Sequence, residues 1–224
     1  MKRIIEIRGA EGGQDSKLFA TDLAKAYVKH ATRVGWINHL TDKGDGNITI
    51  EVSGKDLTQL SNEAGGHRIQ RVPPTERKGR VHTSTVTVAV IEPQETKSIQ
   101  FNEKDFSIEW YSGTGAGGQH RNKHQNSARI THLATGIVAT AQTRSRVSSF
   151  EEAKASILAK LNSGLSTDEQ QRASAIRLSQ TGSGMRGDKS RTYRFQEDQV
   201  KDHQTGKSAT ISKVMAGNFQ LLWH

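Results

Sequence analysis

The stretch SGTGAGGQHRNK, at residues 112–123, is the most informative segment of this chain. Four glycines fall within six residues there: Gly113, Gly115, Gly117 and Gly118. Glycine loses more backbone freedom on folding than any other residue, so this run predicts a loop rather than the interior of a helix or strand. Positive charge surrounds the loop, in His120, Arg121, Lys123, Arg129, Arg144 and Arg146. A basic loop without an apolar anchor suits insertion into an RNA cavity.

Two other interpretations of this loop compete with RNA binding. Its glycines fit the GxGxxG pattern of a phosphate cradle, but they do not open a clean helix and are not followed by a P-loop GKS or GKT. The loop could also be a solvated linker. The tripeptide Gly-Gly-Gln is weak evidence by itself, since it occurs a second time at residues 12–14, in an acidic setting at a predicted helix start.

The segments on either side of the loop predict an α+β fold. Apolar residues alternate with polar ones, as in half-buried strands, at residues 3–8, 48–52, 86–90, 106–110, 127–132 and 136–142. Helical spacing runs from about Ser16 to Gly35 and returns from Phe150, with a second polar helix expected near Thr167. The stretch from Gly65 to Thr83, rich in Arg, Pro and Gly, is predicted to be a loop.

Two linker-like segments predict a split domain. Residues 94–104 are polar, and residues 180–190 are rich in glycine, serine and charge. We therefore expect one α+β domain that is interrupted by a second, inserted α+β domain. The expected boundaries are 1–96 for the first part, 97–186 for the inserted domain and 187–224 for the part that returns to the first.

The composition favours a polyanionic partner. The 224 residues include 32 Lys and Arg against 23 Asp and Glu, a formal charge of +9, and such a protein attracts nucleic acid or an acidic membrane face. A basic protein without such a partner is the competing interpretation. The absence of cysteine excludes disulfides and cysteine-based metal sites. The sequence contains neither a signal peptide nor a membrane-spanning run, so the cytosol is the expected compartment.

SGTGAGGQHRNK followed by SARITHLATGIV resembles the GGQ domain of class I peptide chain release factors, which bind a stop codon on the ribosome and trigger hydrolysis of peptidyl-tRNA. Upstream, GGHRIQRVPPTERKGRVHTSTVTVAV is similar to the family's codon-reading segment, and IEIRGAEGGQDSKLFATDLAKAY to the start of its decoding domain. Downstream, GSGMRGDKSRTYRF and VKDH resemble the return from the GGQ domain. The resemblance covers nearly the whole chain and implies a split decoding domain with an inserted GGQ domain.

The resemblance assigns the hydrolysis to Gly117, Gly118 and Gln119. In the family this loop enters the peptidyl transferase centre, where the ester between peptide and tRNA is split. The two glycines would permit the backbone shape that aims the Gln119 N–H at the reacting centre, while the side chain would help to position water. His120 is expected to have a backbone or rRNA-packing role rather than to act as a general base. No metal or cofactor is expected, and a glutamine methyltransferase is expected to modify Gln119.

The resemblance places codon recognition around Pro73, Pro74 and Thr75. Members with P-x-T at this point read UAA and UAG, whereas those with S-P-F read UAA and UGA. The other matching residues are Gln70 and Thr83 for the third base, His82 for stacking on a purine, and Gly12 and Asp15 for the first U. Asp15 departs from the family's Glu by one methylene, so its contact is expected to be direct, bridged by water or lost.

Three functions remain open at this point. The first is a termination factor for UAA and UAG, a monomer whose partners are ribosomal RNA, the mRNA stop codon and peptidyl-tRNA, with no membrane partner. The second is a rescue factor that releases peptides from stalled or damaged ribosomes; the expected lack of the family's N-terminal helical domain favours it. The third is a ribosome-binding module without hydrolysis. The codon-reading residues and the Gly-Gly-Gln at 117–119 favour the first.

Overall fold

A computed structural model describes residues 1–93, 99–114 and 123–223. The chain divides into two units: unit 1 comprises Met1–Pro93 and Arg172–His224, and unit 2 comprises Gln94–Gln171. The second division lies earlier than the boundary at 186/187 that the sequence suggested, and it falls within a helix that ends at Thr181. The assignment of these units to separate tasks stays a prediction.

Unit 1 is built on an eight-stranded sheet in the described residues. Its strands are β1 (Lys2–Gly9), β2 (Ile37–Asp42), β3 (Asn47–Ser53), β4 (Gly65–Arg71), β5 (His82–Ile91), β9 (Arg191–Arg194), β10 (Gln199–Asp202) and β11 (Ser208–Ala209). They lie in the order β11-β10-β9-β4-β5-β1-β3-β2. All neighbouring strands are antiparallel except β4 and β9, which are parallel. The parallel pair joins the two chain segments that flank unit 2.

One face of this sheet is covered by α1 (Gln14–Arg33). The helix forms because apolar residues recur at Phe19, Leu23 and Tyr27, all of which are buried against the isoleucines and valines of β1, β3 and β5. The C-terminal segment completes this core with α3 (Ile211–Met215) and a 3-10 turn (Phe219–Leu221). The apolar cluster at the C-terminus is therefore part of the core of unit 1.

A buried polar cluster lies within this core. Glu63 is fully buried and accepts hydrogen bonds from Tyr27, Arg191 and Trp223. Arg191 also donates from Nε to Asp202 at 2.8 Å. Because both charges of each pair are removed from water, the cluster holds its geometry only while every partner is present.

Unit 2 contains a three-stranded antiparallel sheet, β6 (Phe106–Tyr111), β7 (Ser127–His132) and β8 (Val138–Ala141). The first half of α2 (Arg146–Thr181) packs on this sheet. Its Ala153, Ile157 and Leu161 are buried at helical spacing. Among the described residues, no helix, including the 36-residue α2, is long and apolar enough to cross a membrane.

Two sequence-based expectations about secondary structure were wrong. The stretch from Gly65 to Thr83 is not a continuous loop, because it contains β4 and the start of β5. A second helix does not begin near Thr167, because α2 continues to Thr181. In β4 the buried positions include His67 and Arg71, which form hydrogen bonds to protein partners. This burial of polar residues hides the apolar alternation that marks a strand.

Candidate nucleic-acid interface

Gln70 and Thr83 are cross-strand partners in the β4–β5 ladder. Both are half-buried, and both point to the face of the sheet opposite α1, since their neighbours Ile69 and Ser84 are buried on the α1 side. An amide and a hydroxyl lie side by side here, and each can donate or accept a hydrogen bond. The pair can therefore contact a base edge that offers either a donor or an acceptor.

The loop that joins β4 to β5 carries Pro73, Pro74 and Thr75. Pro73 is buried and accepts the backbone N–H of Glu76 at 3.0 Å, whereas Pro74 and Thr75 are exposed. A turn anchored by Pro73 thus presents the Thr75 hydroxyl to solvent. Proline fixes its own φ angle, so the two prolines restrict the conformations open to this loop.

Glu76 organises the rest of this loop, although it was not among the residues predicted from the sequence. Its carboxylate accepts hydrogen bonds from the Lys78 backbone N–H at 2.7 Å, from the Arg80 guanidinium at 2.9 Å and from Nε2 of His82 at 2.8 Å. These bonds, the one from Lys78 first, lower the pKa of Glu76 to about 2. The glutamate therefore stays ionised and orients the half-exposed ring of His82. The sequence signal that could have indicated Glu76 is the four-residue spacing between this acidic residue and the basic residue Arg80.

The N-terminal tip of α1 packs on the start of β5. Gly12 has a φ of 116°, which favours glycine, and a Cβ at this position would lie 2.8 Å from the Ser84 Cα. Two backbone hydrogen bonds join the same segments, from Ala10 to Thr85 and from Thr85 to Glu11. The glycine at position 12 is thus explained by a close approach of two backbones.

Asp15 lies behind this tip rather than on it. Its side chain is 3% exposed, and its two oxygens accept hydrogen bonds from Nε of Arg71 and from the Ser84 hydroxyl, both at 2.8 Å. The structure therefore gives no support to direct contact of this carboxylate with a base. Gly12 and Gly13 are exposed at the tip, and no side chain caps the helix there. Arg71 and Ser84, which were not predicted from the sequence, fix the tip against the sheet.

In unit 2, the ends of three strands meet at one edge of the sheet. Tyr111 at the end of β6 pairs with Ser127 at the start of β7, and Ala128 pairs with Ala141 at the end of β8. The described ends of the glycine-rich segment, at Thr114 and Lys123, adjoin this edge. Gly117, Gly118, Gln119, His120 and Arg121 lie outside the described residues.

Of the basic residues predicted to bind RNA in unit 2, four are described. Lys123 and Arg144 are exposed, and the Arg144 carbonyl accepts a hydrogen bond from the Asn126 side chain at 3.1 Å. The guanidinium of Arg146 lies 4.0 Å from the centre of the Trp110 ring. The guanidinium of Arg129 lies 5.6 Å from the centre of the Tyr111 ring, and its Nη1 lies 3.5 Å from Oε2 of Glu109. Lys123, Arg144 and Arg146 therefore surround the edge from which the glycine-rich segment leaves, while Arg129 lies within β7.

Two protein-family models match this chain. Residues 1–88 match the PCRF domain, and residues 94–204 match the RF-1 domain. Peptide chain release factor 1 of Ligilactobacillus salivarius is 39% identical over 97% of this chain, and that of Delftia acidovorans is 41% identical over 95%. The chain spans 63% and 61% of the lengths of these two relatives.

The solved structure of RF2 of Thermus thermophilus agrees with this assignment. It is 29% identical, aligns over 98% of this chain and 65% of its own length, and superimposes with a TM-score of 0.55. The shared architecture is the mixed α and β fold expected from the sequence. This chain belongs to the bacterial class I peptide chain release factors.

Proposed function

We propose that this protein recognises the stop codons UAA and UAG in the ribosomal A site and triggers hydrolysis of peptidyl-tRNA. The observation that carries the proposal is the arrangement in unit 1. The loop at 73–75, the Gln70–Thr83 pair and the tip of α1 occupy the adjoining ends of β4, β5 and α1. Ribosomal RNA, mRNA and peptidyl-tRNA are the partners that this function requires.

Codon discrimination follows from the polar groups of these elements. The exposed Thr75 hydroxyl can donate to or accept from the first two bases, and the Gln70–Thr83 pair can accept A or G at the third. At the second base, guanine replaces the amino donor of adenine with a carbonyl acceptor. A mismatch there leaves polar groups unpaired at a cost of about 1–3 kcal/mol each. His82, held by Glu76, can stack on a purine.

The first base would meet the tip of α1. Because the Asp15 carboxylate is bound by Arg71 and Ser84, we assign this contact to the backbone around Gly12 and Asp15. The first N–H groups of a helix have no partner within the helix and can donate to a uracil carbonyl. Asp15 would then act by fixing the direction in which these donors point.

Hydrolysis would run through Gly117, Gly118 and Gln119. Water attacks the ester carbonyl, and the Gln119 backbone N–H would stabilise the oxyanion that develops. Lys123, Arg144 and Arg146, which lie around the adjoining edge of the unit 2 sheet, would bind rRNA phosphates as the loop enters the peptidyl transferase centre. A glutamine methyltransferase acting on Gln119 is a further proposed partner.

Release assays on ribosomes programmed with UAA, UAG, UGA or a sense codon test the codon assignment. We expect rapid release at UAA and UAG and little at UGA. Equal rates at UAG and UGA would contradict the assignment. Equal release at the sense codon would identify a rescue factor, and ribosome binding without release at any codon would identify a non-hydrolytic module.

Replacing Gly118 with Ala tests the catalytic assignment. The added Cβ restricts the backbone angles, so we expect release to fall by orders of magnitude while ribosome binding persists. Gly164→Ala is the matched control, because Gly164 lies in α2 and a Cβ added there would meet no atom within 4 Å. The control should release peptide at the normal rate; normal release by Gly118→Ala would refute the assignment.

A further inference from the structure

A group of cations lies on the face of the unit 1 sheet opposite α1. Arg68 on β4 is paired with Thr192 on β9, which is paired with Lys201 on β10. One step along, Gln70 is paired with Arg194. Paired residues on neighbouring strands point to the same face. We name Arg68, Arg194 and Lys201 the open-face patch.

The arginines on the two faces of these strands differ in their partners. On the α1 side, Arg71 and Arg191 each contact two carboxylates. On the opposite face, Arg194 forms an ion pair with one carboxylate among the described residues, that of Glu197 at 3.2 Å, and both side chains are substantially exposed. Neither Arg68 nor Lys201 has a carboxylate within ion-pair distance among the described residues. The open-face patch therefore carries positive charge that the described part of the protein does not neutralise.

Arg68 is the least satisfied member of this patch. Its Nε is buried and has no hydrogen-bond partner among the described residues. Burial first, and the charge of Arg194 second, lower the pKa of Arg68. A buried donor without a partner costs free energy, and so does a cation beside another cation. Both costs fall when an anion binds.

The cations of the open-face patch act electrostatically on a neighbouring side chain, that of His203. Burial lowers its pKa first, and the cations Lys189, Arg68 and Lys201 lower it further. Nε2 of His203 lies 2.8 Å from the Thr192 hydroxyl, in the middle of the patch. Asp202, the carboxylate nearest in sequence, is buried and bound to Arg191. The lysine and arginine side chains therefore provide the positive charge of the patch.

We propose that the open-face patch binds the sugar-phosphate backbone of an RNA strand that runs past Gln70 and Thr83. The proposal rests on the proposed function, in which that pair reads a base. Arg194 and Gln70 are neighbours across β4 and β9, so one strand could offer a base to Gln70 and its phosphates to the patch. Backbone contacts of this kind fix the register in which bases are read.

The geometry favours a strand of phosphates over a single small anion. The cations come from three adjacent strands, so the Cα atoms of Arg68 and Lys201 are separated by roughly 10 Å, twice the spacing between strands. Successive phosphates can each meet one cation of such a row. The arginine fork also binds phosphate through two parallel hydrogen bonds.

The test measures binding of a fluorescent 12-nucleotide uridine RNA at several salt concentrations. The patch variant is Arg194→Gln with Lys201→Gln, both partly or fully exposed. The control is Lys25→Gln with Lys29→Gln, two exposed lysines of α1 on the opposite side of the sheet. Both variants lose the same charge. Arg68→Gln is a third variant, and thermal melting verifies that each protein folds.

Each lost phosphate contact lowers the slope of log affinity against log salt by about 0.7 for a single strand. We expect the patch variant to lose about 1.4 from this slope and about tenfold in affinity at low salt, while the control keeps the wild-type values. Arg68→Gln should lose about half of the slope change. Equal losses in patch and control variants, or no binding of the RNA by the wild type, would overturn the proposal.

Competitors separate RNA from other anions. Inorganic phosphate and polyglutamate, at matched charge, should displace the RNA poorly. Displacement by phosphate at equal charge would make this a small-anion site, and displacement by polyglutamate a general polyanion surface; either result overturns the proposal. Stop-codon release is measured separately: if the wild type fails to release peptide, the proposed function fails while the RNA-binding result still decides the patch.

Discussion

Gly12 joins the tip of α1 to β5 at a distance that no side chain permits. Its φ of 116° lies in a region that L-amino acids rarely adopt, and a Cβ would lie 2.8 Å from the Ser84 Cα. Gly13, the next residue, also has a positive φ, of 60°, but a Cβ there meets no atom within 4 Å. The two adjacent glycines therefore differ in space rather than only in backbone angle.

We expect Gly12→Ala to lower the free energy of unfolding by about 1–3 kcal/mol, because strain and a clash with backbone both apply. Gly13→Ala should destabilise less than Gly12→Ala, because only the backbone angles, φ 60° and ψ −129°, are unfavourable there. Urea denaturation of both variants measures the difference. Equal destabilisation would show that the approach to Ser84 is not the constraint at Gly12.

The sequence supplied candidate residues at this scale, whose roles stay predictions, but not the residues that hold them in place. Gln70 and Thr83 were assigned separately through the family resemblance, and the structure makes them cross-strand partners. Arg71 and Ser84 were missed because their partner, Asp15, is distant along the chain. Glu76 was missed because its partner His82 had itself been assigned to base contact. Asp15 illustrates the limit: its residue type suits a base contact, but burial and two protein donors decide its role.

At the scale of elements, the C-terminal end of α2 is fixed to the unit 1 sheet. The Gln180 amide accepts from the Val90 N–H at 2.8 Å and donates to the Val90 carbonyl at 2.9 Å. Val90 lies beyond the point where β4 ends its pairing with β5, at Gly65 and Val88. The side-chain amide thus takes the place of the next peptide group of β4. Arg177 adds two hydrogen bonds to Glu6, at 2.8 and 2.7 Å.

Replacing Gln180 tests how much its side-chain amide contributes to stability. We expect Gln180→Ala to lower the free energy of unfolding by about 1–3 kcal/mol, since two partly buried backbone groups lose their partner. Gln180→Glu should also destabilise, because a carboxylate cannot donate to the Val90 carbonyl. Hydrogen exchange at Val90 measures the local effect. Ser179→Ala, at an exposed neighbour, is the control, and unchanged exchange in both Gln180 variants would contradict the role.

Elements with apolar periodicity were predictable from the sequence, whereas those with buried polar residues were not. Strands at β1, β3, β5 and β6 follow from simple alternation. β4 was missed because His67 and Arg71 occupy buried positions, where the pattern alone suggests exposure. The length of α2 was missed because its middle is polar. There, hydroxyls such as that of Thr167 bond back to the helix, to the Ser163 carbonyl at 2.9 Å, so polarity does not end it.

At the scale of the whole molecule, acid stability depends on the buried polar cluster in unit 1. His67 is fully buried beside it, with Nε2 3.0 Å from the Glu63 carbonyl and Nδ1 3.2 Å from the Tyr193 hydroxyl. Burial first, and the nearby charge of Arg191 second, lower the pKa of His67 from 6.5 to about 4. The folded protein therefore holds this histidine neutral under conditions in which the unfolded chain protonates it.

The sign of the resulting pH dependence follows from proton binding. Between about pH 4 and pH 6.5 the unfolded state binds more protons, so the free energy of unfolding rises with pH over this window. The contribution of His67 is complete above the ordinary histidine pKa and is lost as the pH falls toward 4, by about 3 kcal/mol in all. Urea denaturation at intervals across this window should show the slope. His67→Gln, which cannot titrate, should flatten it, while His39→Gln, at an exposed position on β2, should keep the wild-type slope. If His67→Gln and the wild type lose stability equally on acidification, other groups control the acid limit of this fold.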